Sequence, residues 1–159
     1  MLKAFAESFD IETVSLRFFN VYGQGQDPNS PYSGVISIFT DRAKAGKDLT
    51  IFGDGSQTRD FIAVEDVAEA CVSAVTSEKV GNGEAINIGT GKAVSIRELA
   101  ELIQATCSKQ TEGSIQIIHD APRPADVKDS LASTKQAMLS LGFESKFEFE
   151  YHLPLQLEG

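Results

Sequence analysis

The chain has 159 residues, and its 23 Asp and Glu outnumber 14 Lys and Arg, for a formal net charge of −9 at neutral pH. An acidic surface repels polyanions, which excludes broad contact with nucleic acid or an anionic membrane, yet one small anion can still be neutralised locally by paired guanidiniums. The length suffices for one compact domain, and no apolar run approaches the roughly 18 residues that cross a bilayer, so a cytoplasmic protein is expected.

Leu2, Phe5, Ala6 and Phe9 recur at helical spacing and predict the last turns of a helix over residues 2–9. No N-cap precedes it, which fits either a cut through a longer helix or a short helical cap on a whole domain. Thr13 to Phe19 is β-branched and aromatic, the pattern of a short buried strand, and a loop follows from Asn20 to Pro31. The next helix is predicted from Ser33 to Lys44 on the spacing of Val35, Ile36, Phe39 and Ala43, with Gly46 closing it. Leu49 to Phe52 reads as a strand, Gly53-Asp54-Gly55 as a turn and Arg59 to Ala63 as another extended piece.

Val64 to Thr76 carries the clearest helical pattern, with Val67, Cys71, Ala74 and Val75 on its inner face. Glu65, Asp66 and Glu69 lie near its positive dipole end. Ala85 to Ile88 is a strand, and Ser95-Ile96-Arg97-Glu98 is a capping box that opens a second amphipathic helix. Ile115 to Ile118 is a further strand, Pro122 to Ser130 a loop, and Ser133 or Thr134 caps a short helix that Gly142 stops after Leu141. From Phe147 the tail is a helix, a strand or frayed. The alternation of strands and helices predicts an α/β fold.

Arg59 and Arg123 are the first candidates for function, because each sits in a polar loop and carries a fork of donors that matches two phosphate oxygens. The plainer reading of each is a surface residue or a structural ion-pair partner. Asp126 can accept from a ribose diol and Asp60 can hold Arg59, or both can serve turns and caps. Asn20 follows a strand directly, where open parallel sheets bind ligands, or else forms an Asx turn.

Acid–base candidates are few. His119 and His152 are the two histidines, and His119 beside Asp120 reads as a surface pair at a strand end rather than a poised base. No metal site is expected. Cys71 and Cys107 fall inside predicted helices and are expected as buried thiols. No Gly-x-Gly-x-x-Gly follows a strand, and Tyr22, Tyr32 and Tyr151 each lack a lysine four residues later.

Five blocks then stand in order: Leu16-Arg17-Phe18-Phe19-Asn20-Val21-Tyr22-Gly23 with Gln26-Asp27-Pro28; Leu49 to Phe61; Val64-Glu65-Asp66-Val67-Ala68; Asn87-Ile88-Gly89-Thr90-Gly91; and Arg123-Pro124-Ala125-Asp126-Val127. Together they resemble the C-terminal half of extended short-chain dehydrogenases/reductases, the NAD-dependent epimerase/dehydratase family. Within that family they are most similar to the nucleotide-sugar epimerases typified by UDP-glucose 4-epimerase. The resemblance covers most of the chain. It implies that residues 1–159 are the substrate-binding C-terminal portion of a Rossmann-type fold, with the last strands of the parallel sheet and a small mixed α/β lobe. The NAD-binding N-terminal half would lie outside them.

The same resemblance implies a UDP-sugar or related nucleotide-sugar as ligand, and a homodimer. Asn20, Arg59 and Arg123 would hold the diphosphate and Asp126 would meet the ribose. Backbone around Val35, Ile36 and Thr50 to Phe52 would border the base, and the backbone of Phe19 would approach the nicotinamide. NAD would be bound by the full-length enzyme and not by these residues alone. No catalytic residue is expected here, because the Tyr-x-x-x-Lys pair that exchanges a proton with the sugar hydroxyl is missing. Hydride removal and return at C4 would make the parent a 4-epimerase. The alternatives are a 4,6-dehydratase or reductase of the same family, and a non-catalytic nucleotide-binding module. Gln24-Gly25 departs from the family's usual Pro-Arg, so one basic contact near the sugar is not expected.

Overall fold

In the computed structural model of the chain, residues 2–27, 30, 34–108 and 114–158 are described. Helix α1 (Leu2–Phe9) leads to β1 (Thr13–Phe18) and β2 (Asn20–Tyr22), followed by α2 (Val35–Lys44), β3 (Leu49–Phe52), β4 (Thr58–Arg59) and β5 (Phe61–Ala63). Then come α3 (Val64–Thr76), β6 (Asn82–Ile88), β7 (Val94–Ser95), α4 (Ile96–Cys107), β8 (Ile117–Asp120), α5 (Lys135–Leu141) and α6 (Phe149–Glu158). Three ladders are parallel, β1 with β6, β2 with β5 and β3 with β8, whereas β4 pairs antiparallel with β7. The expected α/β class is what forms.

Two apolar clusters make up the core, and β5 stands between them. Phe61 and Ala63 face a cluster with Tyr22, Phe39, Leu49, Ile51, Leu99, Ile103, Phe149 and Leu153. Ile62 faces the other, with Val67, Ala70, Ile86, Ile88, Leu141 and Phe143. A parallel strand covered on both sides reads as a continuous apolar run, which is why Phe61-Ile62-Ala63 shows no polar alternation.

Several local expectations shift. Asn20 to Tyr22, expected as loop, is a strand, with Asn20 opposite Phe61 and Tyr22 opposite Ala63. Three residues are too few to carry a periodic signal. β1 is half-buried rather than buried, and Phe18 is 48% exposed. The extended piece from Arg59 to Ala63 breaks at Asp60, because β4 and β5 pair with different strands. β8 begins two residues later than Ile115, which is itself buried ahead of the strand.

The inner face of α3 is also rotated from expectation. Val75 is 89% exposed and Cys71 half-buried, while Asp66 is fully buried beside Val67, Ala70 and Ala74. Asp66 turns inward because its carboxylate accepts from the backbone N–H of Lys146 at 3.1 Å and of Phe147 at 3.3 Å. That pairing satisfies a buried carboxylate that would otherwise be costly.

The helix termini follow their local chemistry. Glu98 N–H donates to Ser95 Oγ at 3.1 Å and Ser95 N–H to Glu98 Oε2 at 2.8 Å, the expected capping box. Gly142 ends α5 in the left-handed region, with φ 64°. Thr134 is the N-cap of α5 by position but makes no side-chain capping bond. α2 starts at Val35 after Gly34, and its expected start at Ser33, with Pro28, Pro31 and Tyr32, lies outside the described residues. The tail becomes α6, which inserts Phe149, Leu153 and Leu157 into the core.

Candidate functional site

Strand β3 alternates strictly. Leu49 and Ile51 are completely buried, so Thr50 and Phe52 point to the opposite side and form the floor of a cleft. α2 supplies one wall with Val35, Ile38, Phe39 and Arg42, positions one helical face apart. Asn20 from β2, Arg59 from β4, Ile96 from α4, Asp120 at the end of β8, and Gln57, Arg123 and Asp126 from loops complete a volume of about 530 Å³.

Arg59 anchors this site. Its Nη1 donates to the carbonyls of Thr58 at 2.7 Å and Val127 at 2.6 Å, and its Nη2 to Asp126 Oδ1 at 2.6 Å. One side chain on β4 thereby clasps the 121–130 loop and brings Arg123 and Asp126 to the cleft. A guanidinium has five N–H donors, so Arg59 can hold the loop and still offer hydrogens to a ligand. Arg123 lies over the ring of Phe52, 3.9 Å from its centroid, a cation–π contact that steadies both side chains. The loop turns through Pro124 and Ala125, and Ala125 has φ 61°, a left-handed conformation that costs a non-glycine residue about 1 kcal/mol.

The structure therefore gathers Asn20, Val35, Thr50, Phe52, Arg59, Arg123 and Asp126 at one place. Ile36 does not join them, because its side chain turns away into a second cavity of about 350 Å³ bordered by Tyr22, Thr40, Lys44 and Leu153. Phe19 is also outside the cleft, half-buried between β1 and β2, with its N–H donating to Ile88 O at 3.0 Å.

Asp60 does not hold Arg59, contrary to one of the sequence alternatives. It is fully buried and accepts from Thr90 N–H at 2.8 Å, Thr90 Oγ1 at 2.7 Å, Gly91 N–H at 2.9 Å and Ala132 N–H at 3.1 Å. The partner of Arg59 is Asp126 instead. Arg42 and Gln57 line the cleft without having been named as site residues, and Asp120, expected only in a surface pair with His119, lines it as well. Gln57 stands inside the Leu49 to Phe61 block, whereas the helical spacing of residues 33–44 gave no signal at Arg42.

The cleft is built for binding. Among the described residues its lining contains no His, Tyr, Lys or Cys, and three arginines and two aspartates border an aromatic floor, Arg59 being paired directly with Asp126. Such an arrangement can grip an anionic group beside a flat ring. His119 is occupied structurally, its Nδ1 lying 2.7 Å from Gly53 O. Tyr22 is buried and shares a 3.1 Å hydrogen bond with His152 Nδ1. Burial pushes its phenol far above the ordinary value, with Asp66 and Glu65 adding to the effect, so it stays neutral. Burial likewise raises the Cys107 thiol. Among the described residues no group of three or more His, Cys, Asp and Glu could hold a metal ion, and no helix is long and apolar enough to cross a membrane.

Comparison with known proteins agrees with this architecture. Residues 1–89 match the model of the NAD dependent epimerase/dehydratase family. A UDP-glucose 4-epimerase of Mycolicibacterium smegmatis is 34% identical over 143 residues, covering 90% of this chain and 44% of that protein. A UDP-N-acetyl-alpha-D-glucosaminuronate decarboxylase of Bacillus cytotoxicus is 44% identical over 104 residues, covering 65% of this chain and 30% of that one. The crystal structure of the Thermotoga maritima UDP-glucose 4-epimerase with UDP-glucose superposes with a TM-score of 0.87 at 35% identity, over 99% of this chain and 48% of that chain. The chain spans about half the length of the curated relatives it matches.

Proposed function

Because the chain belongs to the NAD-dependent epimerase/dehydratase family, we propose that residues 1–159 are the nucleotide-sugar-binding C-terminal part of a UDP-sugar 4-epimerase. The observation that carries the reading is the cleft in which Arg59, Arg123 and Asp126 converge at one end of the Thr50–Phe52 floor. Asn20, Arg59 and Arg123 hold the diphosphate, and Asp126 shares its carboxylate between Arg59 and the ribose diol. Val35, Thr50 and Phe52 border the base, Ile36 contributes through its backbone, and the backbone of Phe19 faces the nicotinamide.

NAD would supply hydride removal and return at the sugar carbon. The strand-to-helix junctions before α3 and α4 do not fit its pyrophosphate. α3 follows β5 with no intervening loop and carries Glu65 and Asp66 in its first turn, and the N-terminus of α4 is closed by the Ser95–Glu98 box. Both features oppose an anion at those helix ends. They support placing NAD on a half joined to these residues, which would also bring the Tyr-x-x-x-Lys pair.

The 44% identity to a decarboxylase keeps a second reading in view, a dehydratase, reductase or other enzyme of the same family. Product analysis of the protein with both halves, given UDP-glucose, UDP-N-acetylglucosamine and dTDP-glucose, separates them. A 4-epimer is the expected product, and a 4-keto-6-deoxy sugar would overturn the epimerase reading. Titration calorimetry of residues 1–159 with UDP tests the site itself. Saturable binding weaker than about 10 µM is expected, no more than roughly −7 kcal/mol, since half of the ligand's surroundings are missing. No saturable heat up to millimolar UDP would remove the site assignment.

A further inference from the structure

The cleft has two chemically different ends. α2 and β3 are joined by a tight turn through Gly46, with φ 66°, so the last turn of the helix abuts the start of the strand. There the Arg42 Nε donates to Asp48 O at 2.6 Å. At the other end of β3, Phe52 carries Arg123 on its ring and pairs in register with Asp120. From Asp48 to Phe52 the strand rises about 13 Å. That length accommodates a nucleoside with its diphosphate. An anion held by Arg59 and Arg123 therefore leaves the base at the Arg42 end, between Ile38 and Thr50.

The Arg42 guanidinium is half-buried, and its two terminal nitrogens have no partner among the described residues. The nearby carboxylates are turned elsewhere. Asp48 accepts from Gln116 N–H at 3.0 Å, and Asp41 borders the second cavity. Asp120 lies at the Phe52 end. The base end thus offers the Arg42 donors and no carboxylate, with the Thr50 hydroxyl able to donate or accept.

The geometry points to Arg42 as a specificity-determining residue that selects bases with a carbonyl where cytosine and adenine carry an exocyclic amino group, that is uracil or thymine with their C4 carbonyl. A guanidinium can only donate. Against a carbonyl it makes a charge-assisted hydrogen bond, and against an exocyclic amino group two donors oppose each other in a partly desolvated site. This inference rests on the nucleotide-sugar reading and names the group that would read the base.

The test is a titration of the protein and of Arg42→Met with UDP, dTDP, CDP and ADP, with circular dichroism to verify folding. The unsubstituted protein is expected to bind UDP and dTDP about tenfold more tightly than CDP or ADP, and Arg42→Met to lose that preference by weakening only the first two. Arg42→Lys, which keeps a donor, should restore part of the preference and serves if the Met variant does not fold. Equal weakening toward all four nucleotides would show a merely structural contact with Asp48 and overturn the inference. So would an unchanged preference. If no nucleoside diphosphate binds the unsubstituted protein, the nucleotide-sugar reading itself falls and Arg42 with it.

Discussion

Asp60 has no exposed surface, yet it carries a carboxylate bonded by three backbone N–H groups and one hydroxyl. Those donors come from the loop after β6 and from Ala132, so one side chain ties β5 to two distant segments. Asp60→Asn keeps the shape but replaces one acceptor oxygen with an amide that faces donors. We expect a loss of about 3 kcal/mol or more in stability, the scale of a broken buried network, read as a lowered urea midpoint. An unchanged midpoint would mean that the loops hold without it. Gly89 belongs to the same knot, because a Cβ there would fall 2.5 Å from Ala132 Cβ and 2.8 Å from Asp60 Oδ2. Under the proposed function Arg59 and Arg123 act on the ligand instead. If both grip one diphosphate as proposed, Arg59→Ala and Arg123→Ala should each weaken UDP binding by roughly 1.5 to 3 kcal/mol, and the double variant by less than the sum. Unchanged affinity in a folded Arg59→Ala protein would remove the central functional claim.

At the level of elements, α4 illustrates how a local device carries a measurable share of stability. Backbone and hydroxyl hydrogen bonds from Ser95 hold the Glu98 carboxyl below its ordinary value of 4.5. A depressed carboxyl stabilises the fold above its unfolded value and loses that contribution as pH falls through its folded value. Glu84, bonded by the N–H groups of Gly81 and Asn82, behaves in the same direction. Ser95→Ala should therefore cost about 1 kcal/mol at pH 7. It should also lose less than the parent between pH 7 and pH 3. Denaturant curves at the two pH values check this, and parallel losses in both proteins would show that the Ser95–Glu98 pair is not what titrates.

On the scale of the whole molecule, large apolar side chains remain exposed on several elements, α1 among them. Leu2, Phe5 and Phe9 of α1 are exposed together with Ile11 and Phe18, and the rings of Phe5 and Phe9 lie 5.3 Å apart. Exposed apolar groups of this kind favour association. Light scattering on residues 1–159 should show an apparent mass that rises with protein concentration. A clean monomer at high concentration would count against it. The second core cluster bears on the same point, because β1 contributes only half-buried Val14 and Leu16 to it.

What the sequence determined by itself was local. The limits of α3 and β3, the Ser95–Glu98 box and the Gly142 stop each depend on residues within one turn or strand, so propensity and hydrogen-bonding chemistry suffice to read them. The blocks that carried the family resemblance were legible for the same reason, being contiguous. The tertiary structure alone decided which distant groups meet. Asn20 became a strand residue because Phe61 lies opposite it, and Asp60 turned from Arg59 because Thr90, Gly91 and Ala132 converge on it. Ile36 faced away and Arg42 faced the cleft because the packing of α2 on β3 and α4 fixes the rotation of the helix, which an amphipathic pattern defines only to within a broad stripe. Parallel pairing joins residues far apart in the chain, and no local signal records which strand will be the neighbour.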